Sequence, residues 1–196
     1  MKKGEKRKVE LLKIAYSLFV SRGYEKTSVD EIIEEAGIAK GTFYYYFTSK
    51  EQMLEEVIEM MLNAEFEKAN EALESDLPTA QKIVAVISSI RPAREEQPIE
   101  EALHAPENVL MHDKIRKKVY DRLVPILSQI AQEGVESGIF DCDDIPERVR
   151  ILIAVGSYLF DDREPTEKDF AVFVDIMEKT LGAAKGSMAG MRELIR

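Results

Sequence analysis

Leu11, Ile14, Ala15, Leu18 and Phe19 recur at the i, i+3, i+4, i+7, i+8 spacing of one helix face, so the chain opens on an amphipathic helix. Gly23 is its stop signal. Ser28, followed three residues later by Glu31, has the form of a capping box and starts a short second helix from Val29 to Ala36, with Val29, Ile32, Ile33 and Ala36 on one face. Gly37 ends it, and a third short helix runs from about Ala39 to Phe47. Ser49 with Gln52 forms a second box that opens a long helix from Lys50 to about Leu73, with Met53, Leu54, Val57, Ile58, Met61, Leu62 and Phe66 as its core stripe. Beyond it, helices are expected over about 78–91, 98–110, 113–137, 146–161 and 166–184, separated by prolines or glycines. No segment sustains a period-two alternation, so the fold class is all-α.

Composition agrees with a folded helical protein. The 196 residues are 45% hydrophobic and 33% charged, enough apolar material for a core. All seven prolines lie at or beyond Pro78, which leaves the first 77 residues free of helix breakers. Pro125 falls inside an otherwise helical run, where a kink is expected. The longest apolar run, Ile151 to Phe160, is far short of the roughly 18 residues that span a bilayer. The charged stretch Met1 to Lys8 is followed by no apolar signal core, so a cytoplasmic protein without membrane contact is expected.

The net charge of −10 argues against a nucleic-acid partner until it is divided along the chain. Residues 1–50 carry ten Lys/Arg against seven acids, a net of +3, and residues 51–196 carry 17 against 30, a net of −13. Opposite signs suggest two jobs.

The basic part holds the candidate chemistry. Helix, Gly turn and helix over residues 28–47 have the geometry of a helix-turn-helix, whose second helix is sized for a DNA major groove. Phe43 to Phe47 are five consecutive aromatics, too many for one buried face. Phe43 and Phe47, four apart, can point inward, and Tyr44, Tyr45 and Tyr46 then offer hydroxyls to phosphate and rings to sugar or thymine methyl groups. Gly41 removes a side chain where the helix approaches DNA, and Lys40 and Lys50 can neutralise phosphates. Lys2 to Lys8 would add a mobile cationic arm, while Asp30, Glu34 and Glu35 are expected to face solvent.

Other signals carry no catalytic or metal chemistry. His104 and His112 lack zinc-site spacing and cysteine partners. Cys142, among Asp141, Asp143 and Asp144, should have a raised pKa, and that acidic cluster lacks the Gly and Glu of an EF-hand loop. No nucleophile elbow, P-loop or dinucleotide fingerprint is present. No catalytic residue, metal or cofactor is therefore expected, which weighs against a helical enzyme; a helical adaptor would use the tyrosine run as an interface.

The stretch from Leu11 to about Met61 resembles the DNA-binding region of TetR-type transcriptional regulators. The resemblance rests on Ile14-Ala15, Leu18-Phe19, Gly23-Tyr24, Thr27-Ser28-Val29, Ile32, Ala36-Gly37-Ile38, Lys40-Gly41-Thr42-Phe43-Tyr44, Phe47 and Ser49-Lys50-Glu51. It implies that Thr27 and Ser28 contact the DNA backbone. It implies that Lys40, Gly41, Thr42, Tyr44, Tyr45 and Tyr46 form the recognition surface, and that Lys50 grips a phosphate. Ala39 stands where the family often has Ser, Ile33 where it has Ala, and Tyr46 where it has His. These departures remove a cap, alter packing and leave one contact open.

The resemblance further implies a helix-turn-helix domain over 1–50 and a larger effector-binding and dimerisation domain over 51–196. The partners would be a palindromic double-stranded DNA operator, a small-molecule effector of unknown identity and a second copy of the chain. The expected activity is that of a ligand-responsive regulator, a repressor; the alternative is a DNA-binding protein of the same fold used in chromosome organisation or division control. Candidate effector contacts are Met61, Phe66, Ile87, Leu103, His104, Met111, His112 and Tyr120. The last two helices are apolar on more than one face. Leu152, Val155 and Leu159 with Phe170, Phe173, Val174, Met177 and Leu181 are expected at the homodimer interface, with Val172 and Ile176 on another face.

Overall fold

The computed structural model describes residues 3–91, 93–161 and 166–191; Lys2 of the expected arm, and the side chain of Phe160, lie outside the described residues. Nine α-helices and no strand are found there: α1 (Lys3–Arg22), α2 (Val29–Ala36), α3 (Lys40–Tyr46), α4 (Lys50–Glu74), α5 (Thr79–Ser89), α6 (Gln97–Leu103), α7 (Val109–Glu136), α8 (Ile145–Asp161) and α9 (Glu167–Leu181). The all-α expectation holds.

Two boundaries differ from expectation. The helix expected over 98–110 ends at Leu103, and α7 begins at Val109 rather than at 113. Pro106 is the reason: the residue before a proline is driven out of the helical region, and Ala105 sits at ψ 142°. The basic arm is also not an arm. From Lys3 onward it is the first part of α1, with Arg7 donating to the Ala36 carbonyl at 3.1 Å and Lys8 pairing with Glu56 at 2.5 Å.

The chain divides into two compact units. One takes Met1–Ala64 with Pro92–Arg116, the other Glu65–Arg91 with Lys117–Arg196, so α4 and α7 contribute to both. In the first, α1 packs on α2 and α6, and Tyr16 donates to Glu96 at 3.0 Å. Its core is Leu11, Ala15, Phe19, Ile32, Phe43, Phe47, Met53, Leu54 and Val57, all at most 1% exposed. In the second, α8 packs on α9 and the core includes Phe66, Ile130, Phe140, Phe170 and Leu181.

The end of α9 shows how tightly the second unit is closed. Gly182 is left-handed at φ +64°, and a Cβ there would stand 2.0 Å from the Asp141 carbonyl oxygen, whose own N–H donates to Leu181. Gly182→Ala should therefore cost about 2–3 kcal/mol, read as a lowered denaturation midpoint at unchanged slope. A variant as stable as the wild type would show that this contact yields freely.

Candidate nucleic-acid interface

The α2–turn–α3 element is built from local rules. Ser28 caps α2: its hydroxyl accepts from the Glu31 N–H at 3.2 Å, while Glu31 accepts from the Ser28 N–H at 2.7 Å. The Ser28 N–H and the Ser28 hydroxyl, the latter at 2.8 Å, both donate to the Glu31 carboxylate and hold it below the ordinary glutamate range. At the other end Gly37 adopts φ +59°, and the N–H groups of Gly37 and Ile38 donate to Glu34 and Ile33. That left-handed residue turns the chain into α3, which starts without a side-chain cap because Ala39 has none to give. The second expected box is rearranged. Ser49 accepts from the Gln52 N–H at 3.1 Å, but the Gln52 side chain accepts from Thr48 rather than from Ser49.

Helix α3 separates its aromatics as its period requires. Phe43 and Phe47 are buried, whereas Tyr44 is 49% and Tyr45 80% exposed, and Tyr46 is half-buried with its ring edge-on to Tyr45 at 4.9 Å. Gly41 and Lys40 are exposed and Thr42 is half-buried. The exposed Tyr45 ring contributes little to the core of this seven-residue helix.

Two expected DNA contacts are placed differently. Thr27 is fully buried and its hydroxyl donates to the Gly23 carbonyl at 2.8 Å, so it shapes the loop before α2 instead of reaching outward. Lys50 turns inward as well. Its ammonium donates to the carbonyls of Tyr24 (3.0 Å) and Thr27 (3.2 Å) and lies 4.1 Å from the Tyr24 ring centre, tying α4 to that loop. Two carbonyls that the loop turns towards α4, invisible to sequence patterning, are what claim the lysine. Ser28 stays exposed.

Glu34 and Glu35 face solvent as expected, and so does Asp30, but Asp30 accepts from Lys40 at 3.1 Å. An acid therefore stands at the head of α3. Its charge alone gives no hint of this, and only the turn geometry reveals the pairing.

The expected effector residues divide between the two units. Met61, Leu103, His104, Met111 and His112 belong to the first unit, and Phe66, Ile87 and Tyr120 to the second. His104 and His112 do meet, with ring centres 4.5 Å apart, and His104 caps the end of α6 through the Glu100 carbonyl. Phe66 is buried under the Arg122 guanidinium, 4.1 Å from its ring centre. Tyr120 lines a cleft of about 320 Å³ in the second unit with Asp121, Val124, Pro125, Ser128, Pro146 and Arg150. The buried Ser128 hydroxyl has no hydrogen-bond partner among the described residues, and Pro125 has no N–H to give the carbonyl four residues before it. The Cys142 thiol is raised chiefly by burial, with Asp143 and Asp141 adding to it, rather than by the acids foremost.

The expected dimer face is corrected by burial. Leu152, Phe170, Phe173, Val174, Met177 and Leu181 are buried within the protomer and so are closed to a partner; Leu159 is half-buried and Val155 is 37% exposed. The open apolar side of these helices is instead Ile151, Val155 and Tyr158 on α8, at i, i+4, i+7, with Val172 and Ile176 on α9. Tyr158 was not among the expected partner residues, although its spacing matches Ile151. Among the described residues no helix is long and apolar enough to cross a membrane.

Comparison with known proteins agrees with this geometry. Residues 11–57 match the family described as bacterial regulatory proteins, tetR family. The chain is 30% identical over 144 residues to the HTH-type transcriptional repressor KstR2 of Mycolicibacterium smegmatis, covering 70% of this chain and 69% of that one. It is 26% identical over 144 residues to the fatty acid metabolism regulator protein of Bacillus subtilis, covering 70% and 73%. Among solved structures, RolR in complex with resorcinol superimposes with a TM-score of 0.63 over 98% of this chain and 94% of that one, at 20% identity.

Proposed function

We propose, because this chain belongs to the TetR family of bacterial regulatory proteins, that it is a ligand-responsive repressor that binds a palindromic DNA operator as a homodimer. That it is a DNA-binding transcriptional regulator rather than an enzyme follows from the family; the effector, the operator symmetry and the dimer are our reading. The observation that carries it is α3, a short helix whose buried phenylalanines fix the orientation of the exposed Tyr44 and Tyr45 beside Lys40 and Gly41.

In this reading residues 1–50 hold the DNA-contacting surface and residues 51–196 the effector and partner surfaces. Lys40, Gly41, Thr42, Tyr44, Tyr45 and Tyr46 meet the major groove, with Ser28 at the backbone, while Thr27 and Lys50 position the loop behind it. The net of −13 on residues 51–196 repels phosphate and confines contact to the amino-terminal surface. The open face of Ile151, Val155, Tyr158, Val172 and Ile176 receives a second copy, as a two-fold operator requires. A small molecule bound by the second unit shifts the population towards forms whose recognition helices no longer fit successive grooves. RolR carries a small phenol, resorcinol, on that fold, and the unpartnered Ser128 hydroxyl beside Tyr120 and Arg150 gives such a molecule polar groups to meet.

Selection from a pool of random duplex DNA tests the reading. The protein should enrich a sequence with two-fold symmetry whose half-sites lie about 34 Å apart, or a multiple of it. An enriched pool with no symmetry, or none at all, would contradict it.

A further inference from the structure

The ion pair between α2 and α3 points beyond general DNA binding. Asp30, in the first turn of α2, and Lys40, the first residue of α3, meet at 3.1 Å with side chains 76% and 64% exposed. Such an open pair does little for folding. Helix α2 is capped without it, by Ser28 and Glu31. Its position is the informative part, because the first residues of a recognition helix are the ones that meet base edges in the major groove.

What the pair offers there is a fixed arrangement of donors and acceptors. One ammonium N–H of Lys40 is given to Asp30 Oδ1, leaving two to donate, and Oδ2 of Asp30 is left to accept. A G·C pair presents two adjacent acceptors, guanine N7 and O6, followed by one donor, the cytosine N4 amino group. An A·T pair interrupts its acceptors with the adenine N6 donor and ends on the thymine methyl, which would strip water from a charge and give nothing back. We propose that Asp30 and Lys40 together specify one G·C base pair in each half-site, Lys40 donating to the guanine and Asp30 accepting from its cytosine.

The proposal rests on the DNA-binding reading and adds a base-level consequence. A guanine or thymine facing Asp30 offers its carboxylate no donor, and an adenine sets its N7 acceptor beside the N6 donor, so Asp30 acts by rejecting wrong sequences as much as by holding the right one. The acid that looked unfavourable for DNA binding becomes the reason for selectivity.

Selection from random duplex DNA with the full chain and its Asp30→Ala and Asp30→Asn variants separates the possibilities, with thermal denaturation confirming that all three fold alike. The wild type should enrich a two-fold symmetric site with G·C fixed at one position of each half. Asp30→Ala should recover the same site with preference at that position reduced about tenfold. Asp30→Asn should admit adenine in place of cytosine there, since an amide pairs with adenine through both its N6 and N7. Variant sites identical to the wild-type site would overturn the proposal and leave the DNA-binding reading standing. So would a uniform change in affinity with no change in base preference, since Asp30 would then only orient Lys40. A wild type that enriches nothing overturns the DNA-binding reading, and this inference with it.

Discussion

Phe43→Ala should destabilise the amino-terminal unit by about 3–5 kcal/mol, a large share of what holds a domain of this size together. Helix α3 has seven residues, well below the length at which a helix persists alone in water. It exists because Phe43 and Phe47 anchor it, with Phe43 fully buried, 5.7 Å from the Phe47 ring and edge-on to Tyr44 at 5.2 Å. Removing the Phe43 ring leaves a cavity that the short helix cannot close from one remaining anchor. Chemical denaturation followed by circular dichroism reads the loss, and Phe43→Leu should recover much of it. A cost below about 1 kcal/mol for the alanine variant would show that α3 is held by something else.

On the proposed pairing through α8 and α9, Ile151→Glu should leave a monomer and weaken operator binding at least a hundredfold. Ile151 is 62% exposed in the protomer, with Tyr158 at 75% on the same side of α8 and Val172 at 59% on α9. A carboxylate there is solvated in the monomer and desolvated without a partner in the interface, so the cost falls on association alone. Half-sites bound one at a time then lose the gain from tethering two reading surfaces, on the order of 10²–10⁴. Analytical ultracentrifugation reads the assembly, and fluorescence anisotropy with the selected duplex reads the affinity. A variant that still sediments as a dimer would place the partner elsewhere. Leu152→Ala, on the buried side of the same helix, should instead lower stability first.

The sequence was most legible where a local rule decides the outcome. Ser28 with Glu31, Gly37 and the spacing of Phe43 and Phe47 each point to one structure, and the helix-turn-helix follows from them. It was least legible where the outcome depends on which groups a fold brings near. Lys50 carries the charge expected of a phosphate contact, but two loop carbonyls reach it first. Thr27 is polar and lies next to an exposed cap, yet is fully buried because its hydroxyl finds a carbonyl of the preceding turn. The helices at the carboxy-terminal end show a related limit. Periodicity identified α8 and α9 as apolar on two sides, but could not say which side the protomer keeps for itself. Most of the expected partner residues belong to the core, and Ile151, Val155, Tyr158, Val172 and Ile176 are the ones left open. Pro106 was visible and should have divided the expected helix over 98–110, since Ala105 before it cannot stay helical.

The surface of α3 is the centre of the account, and Tyr45 tests it most directly. Tyr45 is 80% exposed, so its removal leaves no cavity and should leave the denaturation midpoint where it is. Fluorescence anisotropy with the selected duplex, for the wild type and Tyr45→Ala at one salt concentration, should show specific affinity falling about tenfold or more while affinity for an unrelated duplex barely changes. Equal affinity of the two proteins for the selected duplex would contradict the assignment of α3 as the surface that reads DNA.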